Sequence, residues 1–295
     1  MRMKKRLAHV VAVVAMFVWG GATASATLID GLVLHSTLDT VDITGALNTP
    51  GTVVHDLAGP SFQNGAVVNN GLTMGAGLMG QAIKFPGLTS THSVNYGNIL
   101  NVGTGEYSVS LWFNTANFNA TGTSQVLASR GRNGSQDPGW TINTSTTGTV
   151  AIGLNATGEP RTLQQTGAQT NTWNHVVLTL AKDVNTGIGT ITAYLNGESS
   201  GFTSANGFTL PSGYDIIANV DQNLYLGRRL STASPSSALL DDFAIWTRAL
   251  TAAEVNLIYD SGLNGINVQQ IPEPNSLVLS VLGGMVAMAY RRRKQ

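Results

Sequence analysis

The chain has 295 residues, 16 basic and 16 acidic, and no cysteine. Without thiols neither disulfides nor thiolate metal sites can hold it, so an apolar core must, and a chain of this length can form one. The charge balance hides an asymmetry: four basic residues lie in the first six positions and four in Arg291 to Lys294, leaving 8 basic against 15 acidic residues from 27 to 271, a net charge of −7. A mildly acidic body without basic clusters is a poor match for nucleic acid, whose phosphates must be neutralised, and no nucleic-acid partner is expected.

In chain order, the cationic Met1 to Arg6, the apolar Leu7 to Trp19 and the small residues Ala24-Ser25-Ala26 read as a secretory signal peptide over residues 1–26, cut by signal peptidase. Short alternating segments follow, separated by Gly, Asn, Ser and Thr, the pattern of an all-β sandwich or barrel. Residues 107–114 put Val109, Leu111 and Phe113 on one face and Ser108, Ser110 and Trp112 on the other, and Val176, Leu178 and Leu180 repeat the alternation. Further strands are predicted at 28–38, 81–85, 125–129, 149–154, 224–227 and 239–246. Residues 190–195 and 198–203 read as a hairpin about Asn196-Gly197, since a type I′ turn needs two positive φ angles. Gly75-Ala76-Gly77-Leu78-Met79-Gly80 matches a dinucleotide loop only superficially, because it opens no helix. One helix is predicted, from a capping box at Thr251 and Glu254 to about Tyr259, before Gly262.

The end of the chain has a different character. Pro272-Glu273-Pro274 precedes the apolar run 277–290 and the basic residues Arg291, Arg292, Arg293 and Lys294. Fourteen helical residues cover about 21 Å, short of a hydrocarbon core of about 30 Å, and the cationic end stays cytoplasmic. The segment reads as a marginal membrane span with the body outside. One domain, residues 27–265, is the simplest account of the rest, with 266–271 as a linker and 272–295 as the tail.

Several stretches carry family resemblances. Gly80 to Gly87, Tyr107 to Phe113, Thr172-Trp173-Asn174-His175-Val176-Val177, Tyr194-Leu195-Asn196-Gly197, Leu224-Tyr225-Leu226-Gly227 and Leu240-Asp241-Asp242-Phe243 through Val255 resemble, in order, the motifs of LamG-like concanavalin A-type domains. The resemblance implies an antiparallel two-sheet jelly-roll sandwich with one short helix near its C-terminal end. The tail resembles the PEP-CTERM sorting signal. That implies recognition of Pro272, Glu273, Pro274, Arg291, Arg292 and Arg293 by a membrane-embedded transpeptidase, an exosortase, and delivery to the cell surface or beyond. An uncleaved anchor of the same orientation is the alternative.

The fold hosts lectins, hydrolases and adhesive modules, so chemistry must be sought in the residues. A glycosidase needs two carboxyls about 5 to 9.5 Å apart. The Glu-x-Asp-x-x-Glu spacing of the related β-glucanases is absent, and so are zinc spacings among the histidines and a Gly-x-Ser-x-Gly elbow. A non-enzymatic module is expected. Sugar binding would need aromatic platforms beside polar loop residues. Trp140, after the polar loop that contains Arg132 and Asn133, is the leading candidate, with Tyr214 and Tyr225 behind it; packing of Trp140 in the core is the equal alternative. Alternation puts Asp241 on the face of Leu239, Phe243 and Ile245, where a buried carboxylate needs a partner. Asp39 and Asp241 are candidates for a structural calcium, as in many jelly-roll relatives; bonding of Asp241 to backbone amides or Arg248 is the alternative. The functional expectation is an exported, surface-associated binding module for extracellular polysaccharide or matrix. A protein-binding adhesin or structural surface protein comes second, and a divergent polysaccharide hydrolase third.

Overall fold

The computed structural model describes residues 27–59, 64–87, 92–99, 105–131, 139–156, 159–199, 202–204, 209–210, 222–229 and 234–272. Contacts divide the chain into a body, Gly31–Ile271, and a separate unit made of the two ends. The body's strands are β1 (Leu32–Ser36), β2 (Ile43–Thr44), β3 (Val53–Val54), β4 (Gly65–Val67), β5 (Thr73–Ala76), β6 (Gln81–Lys84), β7 (Val94–Gly97), β8 (Tyr107–Asn114) and β9 (Gln125–Gly131). They continue with β10 (Gly139–Thr144), β11 (Val150–Ala156), β12 (Glu159–Gln165), β13 (Asn174–Lys182), β14 (Gly189–Leu195), β15 (Thr203–Ser204), β16 (Thr209–Leu210), β17 (Leu224–Leu226) and β18 (Leu239–Trp246). One helix, α1 (Ala252–Leu263), follows.

The strands form two antiparallel sheets. An eight-stranded sheet runs β16-β14-β13-β8-β18-β6-β5, with β1 also on β18, and a ten-stranded sheet runs β15-β12-β11-β10-β9-β17-β7-β4-β3-β2. The core lies between them: Val109, Leu111 and Phe113 of β8 and Val176, Leu178 and Leu180 of β13 meet Leu127, Ile142, Ile152 and Leu163 of the larger sheet. This is the predicted two-layer sandwich, and alternation built it, since each strand contributes every second side chain to one shared interior.

β8 has no solvent face. Ser108, Ser110 and Trp112 are as buried as the core residues between them. Trp112 stacks on Tyr259 of α1, with ring centroids 5.6 Å apart and planes 10° apart, and on His175, at 4.6 Å and 23°. Helix α1 therefore roofs the second face of the smaller sheet. The capping box is present, with Thr251 Oγ1 accepting from the Glu254 amide and the Glu254 carboxylate accepting from the Thr251 amide. The helix runs past Tyr259 because Gly262 does not stop it. A Cβ at Gly262 would lie 2.5 Å from Trp112 Cζ2, so this glycine allows close approach. Gly265, at φ +75°, is the terminator: its amide bonds Gly262 O and that of Ile266 bonds Ser261 O, a Schellman closure.

Three expectations change. Asn196 and Gly197 both have positive φ, 54° and 84°, as the turn requires, but the hairpin extends only to a single bridge between Leu195 and Glu198. Asn196 bonds His175 of β13 through both backbone and side chain, and Thr203–Ser204 pairs with β12 in the other sheet. On β18 the register shifts between Asp241 and Ala244, with Asp242 at φ +45°. This bulge resets the alternation: Leu240, Phe243 and Ile245 are in the core, and Asp241 faces the other way, opposite Trp112. Finally, residues 266–271 are packed onto the body. A 3-10 turn, Val268–Gln270, buries Val268, and Ile271 is 9% exposed.

Candidate functional site

The outer face of the ten-stranded sheet carries one candidate surface. Cross-strand neighbours share a face, so the register aligns Asn95, Tyr225, Ser129, Thr141 and Gly153 in one row across β7, β17, β9, β10 and β11. The adjacent row, Leu226, Ala128, Ile142 and Ile152, lies in the core, so this one points away from it. Its side chains are small or polar apart from Tyr225. The Arg228 guanidinium lies over the Tyr225 ring, 4.6 Å from the centroid. Asn223 Nδ2 donates to Tyr225 Oη at 3.3 Å, and Ser129 Oγ donates to Arg228 O at 2.8 Å. Most of this row is covered, since Ser129, Thr141 and Tyr225 are 1%, 2% and 7% exposed. The groups that remain half-buried are Asn95, Asn223 and Arg228 about the Tyr225 ring, two amides and a guanidinium that offer hydrogen bonds at the β7–β17 edge of the row.

Trp140 is not part of that face. It pairs across strands with Arg130 and Leu154, is 1% exposed and belongs to the core, so it offers no platform to a ligand. Its parity with Ile142, two residues on, carries this in the sequence. Arg132, Asn133 and Tyr214 lie outside the described residues, as do Glu273, Pro274 and Arg291 to Arg293; Pro272 is exposed. Among the described residues no helix is long and apolar enough to cross a membrane, and the apolar run 277–290 lies outside them.

A second cluster forms where β1, β18 and the β5–β6 turn converge. Asp241 Oδ2 accepts the amides of Leu78 and Met79 at 2.8 and 3.1 Å, and Asp39 Oδ1 accepts that of Gln81 at 2.5 Å. Two carboxylates thus hold one turn. Glycines let them reach it: a Cβ at Gly77 would lie 2.7 Å from Asp241 Oδ2, and one at Gly80 would lie 2.6 Å from Asp39 Oδ1. Burial pushes the Asp241 pKa up to about 8 against the pull of its amide bonds, and the charges of Asp242 and Asp39 add to the rise. Asp241 Oδ1 has no hydrogen-bond partner among the described residues. A buried, half-satisfied carboxylate in an acidic corner favours a proton or a cation. The residues fit a calcium ion in part. Asp241 Oδ1 and Asp39 are hard oxygen donors, but no group of three or more acidic or histidine side chains among the described residues could hold a metal, so carbonyl oxygens and water would complete the shell. Arg248 is engaged elsewhere, with Glu254 at 2.7 Å.

Two arrangements look like fragments of catalytic machinery. His35 Nε2 is 2.5 Å from Asp242 Oδ1, both groups being buried. Burial lowers the His35 pKa, but the Asp242 charge and hydrogen bond outweigh it, leaving the group above its usual value. The neighbouring Ser36 hydroxyl donates to His55 O and does not face this pair. Ser110 Oγ lies 2.8 Å from His175 Nε2, as a nucleophile would from a base. No carboxylate orients that imidazole, its Nδ1 has no partner among the described residues, and both groups are 0% exposed under α1. Burial pushes the His175 pKa down to about 3.

The two-sheet architecture, the helix roof and the closing strand define a lectin-like jelly roll. The family model of the concanavalin A-like lectin/glucanases superfamily matches residues 88–256, and the chain belongs to that superfamily. A PEP-CTERM protein-sorting motif matches residues 270–294, which marks an exported protein sorted to the membrane or cell surface and processed by an exosortase-type enzyme. Similar solved structures include the binding domain of a paraclostridial mosquitocidal protein, at 20% identity and TM-score 0.54, over 79% of this chain and 53% of that one. Domain 4 of a GH43 extracellular arabinanase from Geobacillus stearothermophilus, solved with arabinotriose, is 19% identical at TM-score 0.52, over 76% of this chain and 96% of that one. The botulinum neurotoxin serotype D ligand-binding domain, solved with N-acetylneuraminic acid, is 15% identical at TM-score 0.52, over 79% of this chain and 51% of that one. The chain spans about half the length of the two toxin domains. These likenesses describe the fold. No curated protein matches the chain.

Proposed function

We propose that the body is a non-catalytic binding module, carried to the cell surface by its sorting signal, and that it takes extracellular polysaccharide on the outer face of the ten-stranded sheet. The observation that carries this reading is the half-buried polar edge where Asn95 pairs with Tyr225 and where Asn223 and Arg228 flank the Tyr225 ring. A polysaccharide can meet such an edge without a deep pocket, a sugar making a few hydrogen bonds to the amides and the guanidinium. Two similar folds solved with sugars, the arabinanase domain and the neurotoxin domain, support it. The two dyads are buried away from solvent and so do not favour hydrolysis.

Affinity electrophoresis of the exported protein through gels of the host's extracellular polysaccharide tests the reading. Retardation is expected, and Arg228→Ala, which removes the guanidinium from that edge, weakens it by about tenfold, the loss of roughly 1.4 kcal/mol. Migration unchanged by every polysaccharide tried, together with capture of a specific surface protein, would favour the adhesin reading instead. Asp39 and Asp241 are further proposed to hold a structural calcium that fixes the β5–β6 turn, on the strength of the unpartnered Asp241 oxygen.

A further inference from the structure

The body of this protein ends inside its own sorting signal. The matched motif begins at Gln270, whereas the compact body runs to Ile271, so two residues belong to both. The Schellman closure after α1 turns the chain back, and residues 266–271 then run along the body as a docked stem. A reciprocal capping box closes the 3-10 turn: the Asn267 side chain accepts the amides of Gln269 and Gln270 at 3.1 and 3.2 Å, and the Gln270 side chain accepts that of Asn267 at 3.3 Å. Val268 is 1% exposed and Ile271 9%. Gln269 Nε2 donates to Leu57 O at 2.5 Å. Exposed Pro272 follows directly.

We propose that the folded body masks the leading end of its sorting signal, and that the stem must undock before the sorting enzyme can take the whole signal. Peptide-recognising proteins commonly bind their targets extended, with main chain and alternate side chains in contact. Gln270 in a capped turn and Ile271 packed on the body cannot be presented that way. Processing then proceeds from the undocked fraction, and its rate scales with that fraction, as for any ligand whose competent state is partly populated. The device delays processing without blocking it. It rests on the sorting motif and the stem's packing, and is independent of the polysaccharide reading.

The test follows the full-length chain in a bacterium with its own sorting enzyme, timing by pulse-chase and mass spectrometry the loss of residues 291–295. Val268→Asp, which ejects the stem, is expected to speed processing by about tenfold. That variant can also loosen the fold, so a second leaves the docked stem untouched: Gly-Ser-Gly-Ser-Gln-Ile inserted between Ile271 and Pro272 supplies a free copy of the masked residues. Faster processing of the insertion variant at an unchanged melting temperature supports the proposal. Processing of that variant at the parental rate or below overturns it, whatever Val268→Asp does. Failure of polysaccharide binding in either variant bears on the other reading alone.

Discussion

Asp241 and His175 show how burial turns ordinary residues into opposed titrations. The folded-state pKa of Asp241 is raised to about 8, so between the unfolded carboxylate value near 4 and pH 8 the folded protein holds a proton that the unfolded chain has lost. Its contribution is full below pH 4 and is lost as pH rises through 8, at about 1.4 kcal/mol per unit. Unfolding in chelator should therefore show wild type losing stability relative to Asp241→Asn across that window. Added calcium should restore the wild type alone; melting curves indifferent to both chelator and calcium would refute the calcium proposal. His175 has the opposite sign. With its folded pKa lowered to about 3, the unfolded chain binds the extra proton below pH 6.5, so its contribution is full above 6.5 and falls at about 1.4 kcal/mol per unit toward 3. The stability of wild type minus that of His175→Gln should fall with acid in that window, and a flat difference would show that the imidazole is hydrated.

At the level of elements, α1 is held more by the surface it covers than by its own sequence. Its first turn is well capped, and Arg248 makes two hydrogen bonds to Glu254, at 3.0 and 2.7 Å. Its position is set by stacked rings: Tyr259 on Trp112, and Trp112 on His175. Gly262 is the close contact in that stack. Alanine there would gain about 1 kcal/mol of helix propensity, yet its Cβ would lie 2.5 Å from the indole, so Gly262→Ala should destabilise the protein by about 1 to 3 kcal/mol in chemical denaturation. A stabilised variant would mean that the helix slides freely on the sheet. The bulge on β18 works in the same way. One positive φ at Asp242 delivers Phe243 and Ile245 to the core while Asp241 turns to the β5–β6 turn, so a single strand serves both faces.

For the whole molecule, one face of the smaller sheet is covered by the larger sheet and the other is covered at Trp112 and His175 by α1, and the half-buried edge about Asn95, Asn223 and Arg228 is left as the candidate ligand surface. The stem completes the body. Ending the chain after Ile271 should leave the melting temperature unchanged, whereas ending it after Gly265 removes buried Val268 and Ile271, worth about 3 kcal/mol, and should lower melting by roughly 6 to 12 °C. Equal melting of the two truncations would make residues 266–271 the linker expected from the sequence.

Much of this was legible in the sequence, because β alternation is a local rule. The strands at 107–114 and 239–246 have the predicted limits, and the capping box at Thr251 marked the start of the helix. The absence of cysteine and the character of the two ends were likewise readable without any contact between distant residues. What the sequence could not show depended on partners brought from afar. Gly262 looks like a helix stop until Trp112 sits beneath it, and Asp241 looks core-facing until a bulge changes the parity of its strand. Trp140 looks like a loop platform until its register against Arg130 and Leu154 places it inside. Local propensity determined which segments became strands and helix. Only tertiary packing decided which face each residue took and which polar groups lost their water, because burial is a property of neighbours that the chain order does not name.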